Sequence, residues 1–581
     1  MKKRLFCLMI FLMAGAIFCA GAHFERSSPG DFQNAPAQWV MFADATPENV
    51  VRATSRHATD LAVGDLNQDE LEDIVVALPG SEGEGRLQVL INRGHFNFDV
   101  LDPLEVGLTA PGFHGEISAC EIVDLNNDGY PDIIAAVFYP GAIFVFINEM
   151  TAPDDTLMFH HHPNSGIAPL YSTWSIDAVS YDGNSSPDLV INSAWSMATI
   201  LYRHQYNDPQ GDPHFQPVIW SGFEVGEWSF QTCAVDLYED GCESLCIASY
   251  SLDSIVADPN PIFWQKNCDQ IFTKYEYEGF TDPTMRTFQM LSLDEDENGT
   301  PDHLYYLNGP NGYGENSENR MYKIAFPLDP GGGSSPEHPV LRLKDNTGLE
   351  LRGDDACGRF GDMFKDDFQG EENFHYDFVR ARYSLSLEPC SEPDPYTKYG
   401  NRGSRGKAPM KIYHQNDAFI WEEQKSTGIE QFVANHIGLE VVDLDRDGDP
   451  DVVDANYNYL PCYIIKNRII NRHFYSVIEP PQSSALPCNV TVEVKYLDGT
   501  IEERIIAFLD VVSPREIEFS LGPDSEAQWV RVSYPDQVIE VYHVLSGTTL
   551  HFYPDGRYSG QEAGHGYGFK GMRSGEERGI R

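Results

Sequence analysis

CEIVDLNNDGYPDIIAAVF, residues 120–138, decides the reading of this chain. Two apolar, β-type runs flank a loop of the form D-x-[DN]-x-[DN]-G-x-x-D. Oxygen-bearing side chains recur at alternate loop positions: Asp124, Asn126, Asp128 and, at the ninth position, Asp132. The seventh residue, Tyr130, offers its backbone carbonyl. Hard oxygens converging in this way suit Ca²⁺, which takes six to eight oxygen ligands. Gly129 permits the sharp bend where a Cβ would clash.

The same unit recurs along the chain. The first copy, LAVGDLNQDELEDIVVAL, offers Asp65, Asn67, Asp69, Asp73 and the carbonyl of Leu71. LSLDEDENGTPDHLYYL offers Asp294, Asp296, Asn298, Asp302 and the carbonyl of Thr300. EVVDLDRDGDPDVVDANY offers Asp443, Asp445, Asp447, Asp451 and the carbonyl of Asp449. Two weaker copies start at Ser180 and Asp236, and an expanded one at Asp362. Successive starts from 65 to 294 lie 59, 56, 56 and 58 residues apart. The gap of 149 from 294 to 443 has room for the Asp362 copy, which makes seven. A single loop of this kind can be an ordinary Asp/Asn/Gly turn. Four full matches in phase read as cation sites, so about four calcium ions are expected. The degenerate loops should hold little or none. An EF-hand begins alike but needs a Glu at its twelfth position. Here Val76, Ala135, Tyr305 and Asp454 stand there, and the flanks are strand formers.

A period near 57 suits a four-stranded propeller blade. LQVLINRGHFNF, IFVFINEM and YHQNDAFIWEE read as third and fourth strands of blades. The fold expected is therefore all-β: a seven-bladed β-propeller over 23–470, then a small β-sandwich or barrel over 471–556. QWVMFADATPE, ahead of the first loop, is placed to give a strand to the last blade and close the ring. The Gly/Pro/Ser/Asn-rich stretch 310–348 reads as a surface insertion in the region of the sixth blade. From 471 the Asp loops stop, and five or six alternating strands follow, among them NVTVEVKYL and AQWVRVSYP. Residues 557–581, rich in Gly and charge, are expected to be disordered.

These repeats resemble FG-GAP/VCBS repeats, the units of the integrin α-chain propeller and of many exported bacterial proteins. Residues 518–537, EFSLGPDSEAQWVRVSYPDQ, resemble the ASPIC/UnbV domain. Ser520-Leu521-Gly522 stands where that family has G-L-G, and Tyr534-Pro535-Asp536-Gln537 where it has W-P-D-G. The combination is similar to the cartilage acidic protein family. The resemblance implies seven blades, calcium and an extracellular location, and no settled enzymatic mechanism.

Composition points the same way. A net charge of −49 opposes binding to nucleic acid or to an anionic membrane. Residues 1–22 read as a secretory signal peptide: Lys2, Lys3 and Arg4, then an apolar run, then Ala20-Gly21-Ala22. Phe18 before Cys19 does not suit a lipoprotein. No later stretch is long and apolar enough to span a bilayer. The chain is expected to be secreted, extracellular or periplasmic, without membrane insertion, and a monomer. Nine cysteines remain after the signal, an odd number, so at least one thiol is free or pairs between chains. Cys242 and Cys246 lack the second pair that a zinc site needs. Arg352-Gly353-Asp354, an RGD tripeptide, and the sequons at Asn184, Asn298 and Asn489 carry little weight. His160, His161 and His162 read as a solvated loop. No nucleophile elbow, H-E-x-x-H, Walker or dinucleotide motif is present. The expected function is a binding or adhesion scaffold for an extracellular protein or glycan, not an enzyme. The alternative is a carbohydrate-active lyase or hydrolase on a calcium-containing propeller.

Overall fold

The computed structural model describes residues 41–562 apart from a set of interior stretches. The longest of these are 251–259, 276–286, 309–317, 326–338, 365–375, 383–407 and 479–488. The signal segment and the RGD tripeptide lie outside the described residues. Among the described residues, no helix is long and apolar enough to cross a membrane.

Each Asp-loop copy, weak or strong, joins the first two strands of a separate antiparallel sheet. In order, the hairpins are Asp60–Gly64 with Asp73–Leu78, Ile117–Val123 with Asp132–Val137, and Thr173–Val179 with Asp188–Ser193. Trp228–Val235 with Ser244–Tyr250 and Thr287–Leu293 with His303–Asn308 come next. Asp355–Gly361 with Asp377–Arg382 and Val433–Val442 with Asp451–Tyr457 complete the set. Two further strands complete each of the first six sheets, and three complete the seventh: Tyr463–Asn467, Phe42–Asp44 and the short Ala408–Pro409. The first strand of each sheet packs on the first strand of the next, and the seventh packs on the first. That closed cycle is a seven-bladed propeller. Phe42–Asp44 pairs with Tyr463–Asn467, Phe42 opposite Asn467, so the N-terminal segment closes the last blade as expected.

The second strand of a blade lies mid-sheet with neighbouring blades over both faces. DIVVAL (73–78) and DIIAAV (132–137) are accordingly buried throughout and read as continuous apolar runs. The cores lie between blades: Val75, Leu87 and Val89 of blade 1 pack with Ile133, Ala135, Phe144 and Phe146 of blade 2.

Two boundaries differ from the sequence reading. Residues 310–348 are not wholly an insertion: Arg320–Ala325 and Val340–Lys344 are the third and fourth strands of blade 5. RMYKIA and VLRLK are short and sit among turn-forming residues, which hid them. The tail is ordered at its start, since Tyr558–Glu562 pairs with Thr548–Phe552. Among the described residues, the C-terminal domain therefore has eight strands in two sheets. A parallel pairing of His473–Ile478 with Thr548–Phe552 joins its first strand to its seventh. Val490, Val492, Val530, Val532, Phe519 and Phe552 fill the space between the sheets.

Candidate metal centre

The blade-2 loop shows the common construction. The Asp128 N–H donates to Asp124 Oδ1 at 3.1 Å and to Asn126 Oδ1 at 3.0 Å. Gly129 N–H donates to Asp124 Oδ2 at 2.8 Å, and Tyr130 N–H to Asp128 Oδ1 at 2.9 Å. These nested turns hold the side-chain oxygens inside the loop. Blade 1 repeats the pattern, with Asp69 N–H on Asp65 Oδ1 at 3.1 Å and on Asn67 Oδ1 at 2.9 Å.

The ninth-position aspartate does more than close the loop. Asp132 is buried at the head of its strand; Oδ2 accepts from Leu125 N–H at 2.9 Å and Oδ1 from Asn148 N–H at 2.8 Å. Asp73, Asp188 and Asp451 make the same two bonds in blades 1, 3 and 7. Its first task is to staple the loop to the third strand. Each oxygen keeps a second lone pair for a cation. In blade 7, Asp443, Asp445 and Asp451 each bring an oxygen within 4.8 Å of the others.

Electrostatics agree with that convergence. Burial pushes Asp132 well above the usual carboxylate range, and the charges of Asp124 and Asp128 push it further. Burial does the same to Asp73, with Asp65 and Asp69 adding to it. Asp124 is pushed up to about 6, chiefly by burial, with Asp128 contributing. A divalent cation among these groups would offset both effects. The donor set, all hard oxygen, fits calcium.

Blade 5 departs from the pattern. Leu293 pairs with His303, one residue beyond Asp302, so the buried place held elsewhere by the ninth aspartate goes to His303. Burial and the nearby Lys344 and Lys323 lower its pKa to about 3. Asp294, Thr300 and Asp302 are described, whereas Asp296 and Asn298 lie outside the described residues, as does Asp447 in blade 7.

The degenerate loops carry other ties. In blade 3, Arg203 Nε lies 2.5 Å from Asp182 Oδ2, at a carboxylate only 2% exposed. In blade 4, Cys242 forms a disulfide with Cys268. In blade 6, Asp377 accepts from Met363 N–H at 2.6 Å and pairs with His414 Nδ1 at 2.8 Å. Blade 7 also has Lys466 paired with Asp445.

Three further features escaped the sequence reading. The polar residue at the end of the third strand reaches back to the preceding loop. Asn92 Nδ2 donates to Leu444 O at 2.7 Å, Asn148 Nδ2 to Leu66 O at 2.9 Å, Gln265 Nε2 to Tyr181 O at 2.5 Å, and Asn467 Nδ2 to Met363 O at 2.9 Å. The strands' ending in Asn was visible; the role was not. The inner strands form a polar girdle. Asp60 accepts from Cys120 N–H at 2.9 Å, Asp177 from Thr232 N–H at 3.1 Å, and Gln289 from Gly358 N–H at 2.9 Å. Arg359 pairs with Glu440. Burial raises Asp60 to about 7 and Asp177 to about 6. The histidine run, read as a solvated loop, instead clasps blades 2 and 3. His160 Nε2 lies 3.0 Å and His162 Nδ1 3.1 Å from the two oxygens of Asp212.

Comparison with known proteins agrees with the repeat geometry. Residues 65–135 match the FG-GAP-like repeat model. Human integrin alpha-6 is 31% identical over 154 residues, 24% of this chain and 13% of that protein. Mouse integrin alpha-7 is 26% identical over 264 residues, 42% of this chain and 20% of that protein. Bovine phosphatidylinositol-glycan-specific phospholipase D is 29% identical over 157 residues, 23% of this chain and 18% of that protein. The chain thus covers a fifth or less of the length of these three relatives. Its repeats are FG-GAP-like, and its propeller is integrin-like.

Proposed function

We propose that this chain is a secreted, calcium-loaded propeller that serves as a binding and adhesion scaffold for an extracellular protein or glycan, acting as a monomer. The observation that carries the calcium reading is the convergence of loop carboxylates, seen most fully at Asp443, Asp445 and Asp451. The first two blades supply the same donor pattern. Their mutual repulsion when empty makes ion binding and folding one equilibrium. The ions belong in the loops of blades 1, 2 and 7. A fourth ion, in blade 5, would rest on Asp296 and Asn298. The C-terminal domain retains its resemblance to ASPIC/UnbV as part of this proposal.

The scaffold reading draws support from the FG-GAP-like repeats and the integrin relatives. A rigid ring with loops at both ends suits recognition by broad surfaces. The charge of −49 favours partners other than nucleic acid. A catalytic reading would use the girdle carboxylates, since Asp60 at about 7 has the proton affinity of a general acid. Against it, Asp60 and Asp177 are committed to backbone N–H groups of the next blade. The test is binding of the mature chain to glycan and protein arrays, in calcium and in chelator, with assay of released oligosaccharide. Calcium-dependent capture without product release is expected. Turnover of any polysaccharide, or capture indifferent to chelator, would overturn it.

A further inference from the structure

The fourth residue of the Asp loops adopts a left-handed backbone: Gln68 at φ 55°, Asn127 at φ 58° and Arg446 at φ 54°, with Gly183 at φ 68° in blade 3. This turn throws the side chain sideways toward the next blade. Gln68 Nε2 donates to Gly129 O in the blade-2 loop. Asn127 Nδ2 donates to Ser186 Oγ in the blade-3 loop at 2.9 Å. Gly183 has no side chain, and the space beside it is filled by the Cys242–Cys268 sulfurs of blade 4. By the same geometry Arg446 would reach the blade-1 loop. Its Nη2 lies 3.3 Å from Nε2 of His551, in the C-terminal domain.

Burial sets this loop apart as well. Arg446 is 8% exposed, Asp443 8%, Asp449 1% and His551 5%. Of the matching residues, Gln68 is exposed, and Asn127, Asp65, Asp124, Leu71 and Tyr130 are half-buried. His551 stands on Thr548–Phe552, which pairs in parallel with His473–Ile478, the first strand beyond the propeller.

We propose that the blade-7 loop is the latch between propeller and C-terminal domain, so that filling its cation site and seating the domain are one coupled event. Asp445, a ligand candidate, directly precedes Arg446. An ion that draws Asp443, Asp445 and Asp451 together fixes the left-handed turn and with it the aim of the guanidinium. By linkage the seated domain raises the ion affinity of this loop by the same factor. The coupling rests on the calcium reading above; the Arg446–His551 contact does not.

The experiment uses the full mature chain, measured by small-angle scattering, limited proteolysis between the domains, and calorimetric calcium titration. In calcium the wild type is compact and resists cleavage. In chelator the domain separates, with a larger radius of gyration and cleavage faster by about tenfold, within the usual range of such couplings. His551→Leu separates the domains even in calcium and weakens one ion site by about tenfold, leaving the others unchanged. Arg446→Gln, on the propeller side, does the same and covers the case in which His551→Leu disturbs the C-terminal sheet. Domain separation equal in calcium, in chelator and in both variants, with calcium still bound, overturns the latch and leaves the calcium reading intact. Absence of calorimetric calcium binding overturns the calcium reading and the coupling with it. In that case the variants' effect on scattering still decides whether Arg446 holds the domain.

Discussion

Replacing Asp124 with Asn should change stability in opposite directions with and without calcium. In chelator above pH 7 the wild-type carboxylate is ionised although its surroundings hold its pKa near 6, against 3.8 for a free group. That difference of about two units corresponds to roughly 3 kcal/mol of destabilisation at most. Asn removes the charge and keeps one oxygen for the Asp128 N–H, but leaves Gly129 N–H facing an amide, at a cost of about 1 kcal/mol. The net gain in chelator is about 1–2 kcal/mol. In calcium at a thousand times its Kd, a filled site contributes about 4.1 kcal/mol, and a hundredfold weaker ligand set forfeits about 2.7 kcal/mol of it; after the gain of about 1–2 kcal/mol in the empty state, the variant is about 1–2 kcal/mol less stable than wild type. For a propeller this size, 1 kcal/mol moves Tm by about 1–2 °C.

The expected result is a Tm about 1–4 °C above wild type in chelator and about 1–3 °C below it in calcium. Scanning calorimetry at matched ionic strength reads both. The pH dependence gives a second check. Asp124's folded pKa is raised, so its contribution favours the fold at low pH and is lost as pH rises from about 4 to about 6. The variant in chelator should lack that fall. A shift of the same sign in both media would show that Asp124 does not face a cation.

Asp60→Asn should flatten the chelator stability curve between about pH 4 and 7, because Asp60's folded pKa near 7 makes wild-type stability decline across that window; urea titrations at stepped pH would read it. Asn148→Ala leaves the carbonyls of Leu66 and Pro131 without their donor and should cost about 2–3 kcal/mol in the same titrations. Arg203→Met leaves Asp182 buried without its partner, a loss of about 1–3 kcal/mol given the partly exposed guanidinium. It should also make the blade-3 loop responsive to calcium, read as one additional ion by native mass spectrometry. An unchanged ion count would mean that Asp182, Asn184 and Asp188 do not converge.

The seven inner hairpins were legible because one loop signature with β-type flanks recurs at blade spacing. Even the damaged copies at Ser180, Asp236 and Asp362 mark real hairpins. What stayed hidden lies in relations between blades, which no single repeat displays. Gly107, Gly166 and Gly348 are left-handed, and a Cβ on each would meet the carbonyl oxygen of Phe159, Phe215 or Trp421 at about 2 Å. Each glycine sits in the link entering a blade and packs on that blade's outer strand. Phe159 N–H donates to Val106 O at 2.8 Å and Phe215 N–H to Ser165 O at 2.7 Å. Phe42 N–H on Thr427 O at 2.9 Å shows the N-terminal strand taking that role in blade 7. The glycines were readable, but their aromatic partners lie some fifty or more residues on, or at the other end of the chain. His303 escaped for a different reason. PDHLYYL looks like PDIIAAV with one histidine, and only the register shows that His303 took the buried place.

The Asp loops pose one physical problem in seven settings. A sharp inner hairpin must be held to the third strand, and its stapling oxygens gather negative charge on one face. Blade 2 leaves that charge for a divalent ion, and so does blade 1 apart from the Arg93 guanidinium 3.6 Å from Asp69. Blade 3 answers with the Arg203 guanidinium, which reaches Asp182 from the strand position opposite Asp188. Blade 4 has Ser244 in place of the ninth aspartate and adds a disulfide. Blade 6 answers with His414 against Asp377. Blade 7 carries five aspartates in its loop, and Lys466, at the position matching Arg203, neutralises one of them. Lys466 and Arg446 together cannot balance five carboxylates, so a net negative charge remains for a cation in blade 7. That loop is also more buried than those of blades 1 and 2, and its Arg446 touches His551 of the C-terminal domain. Burial makes an uncompensated charge more costly there than on the exposed loops. The ion of blade 7 should therefore be the last to leave under chelator, and its loss the one that releases the C-terminal domain.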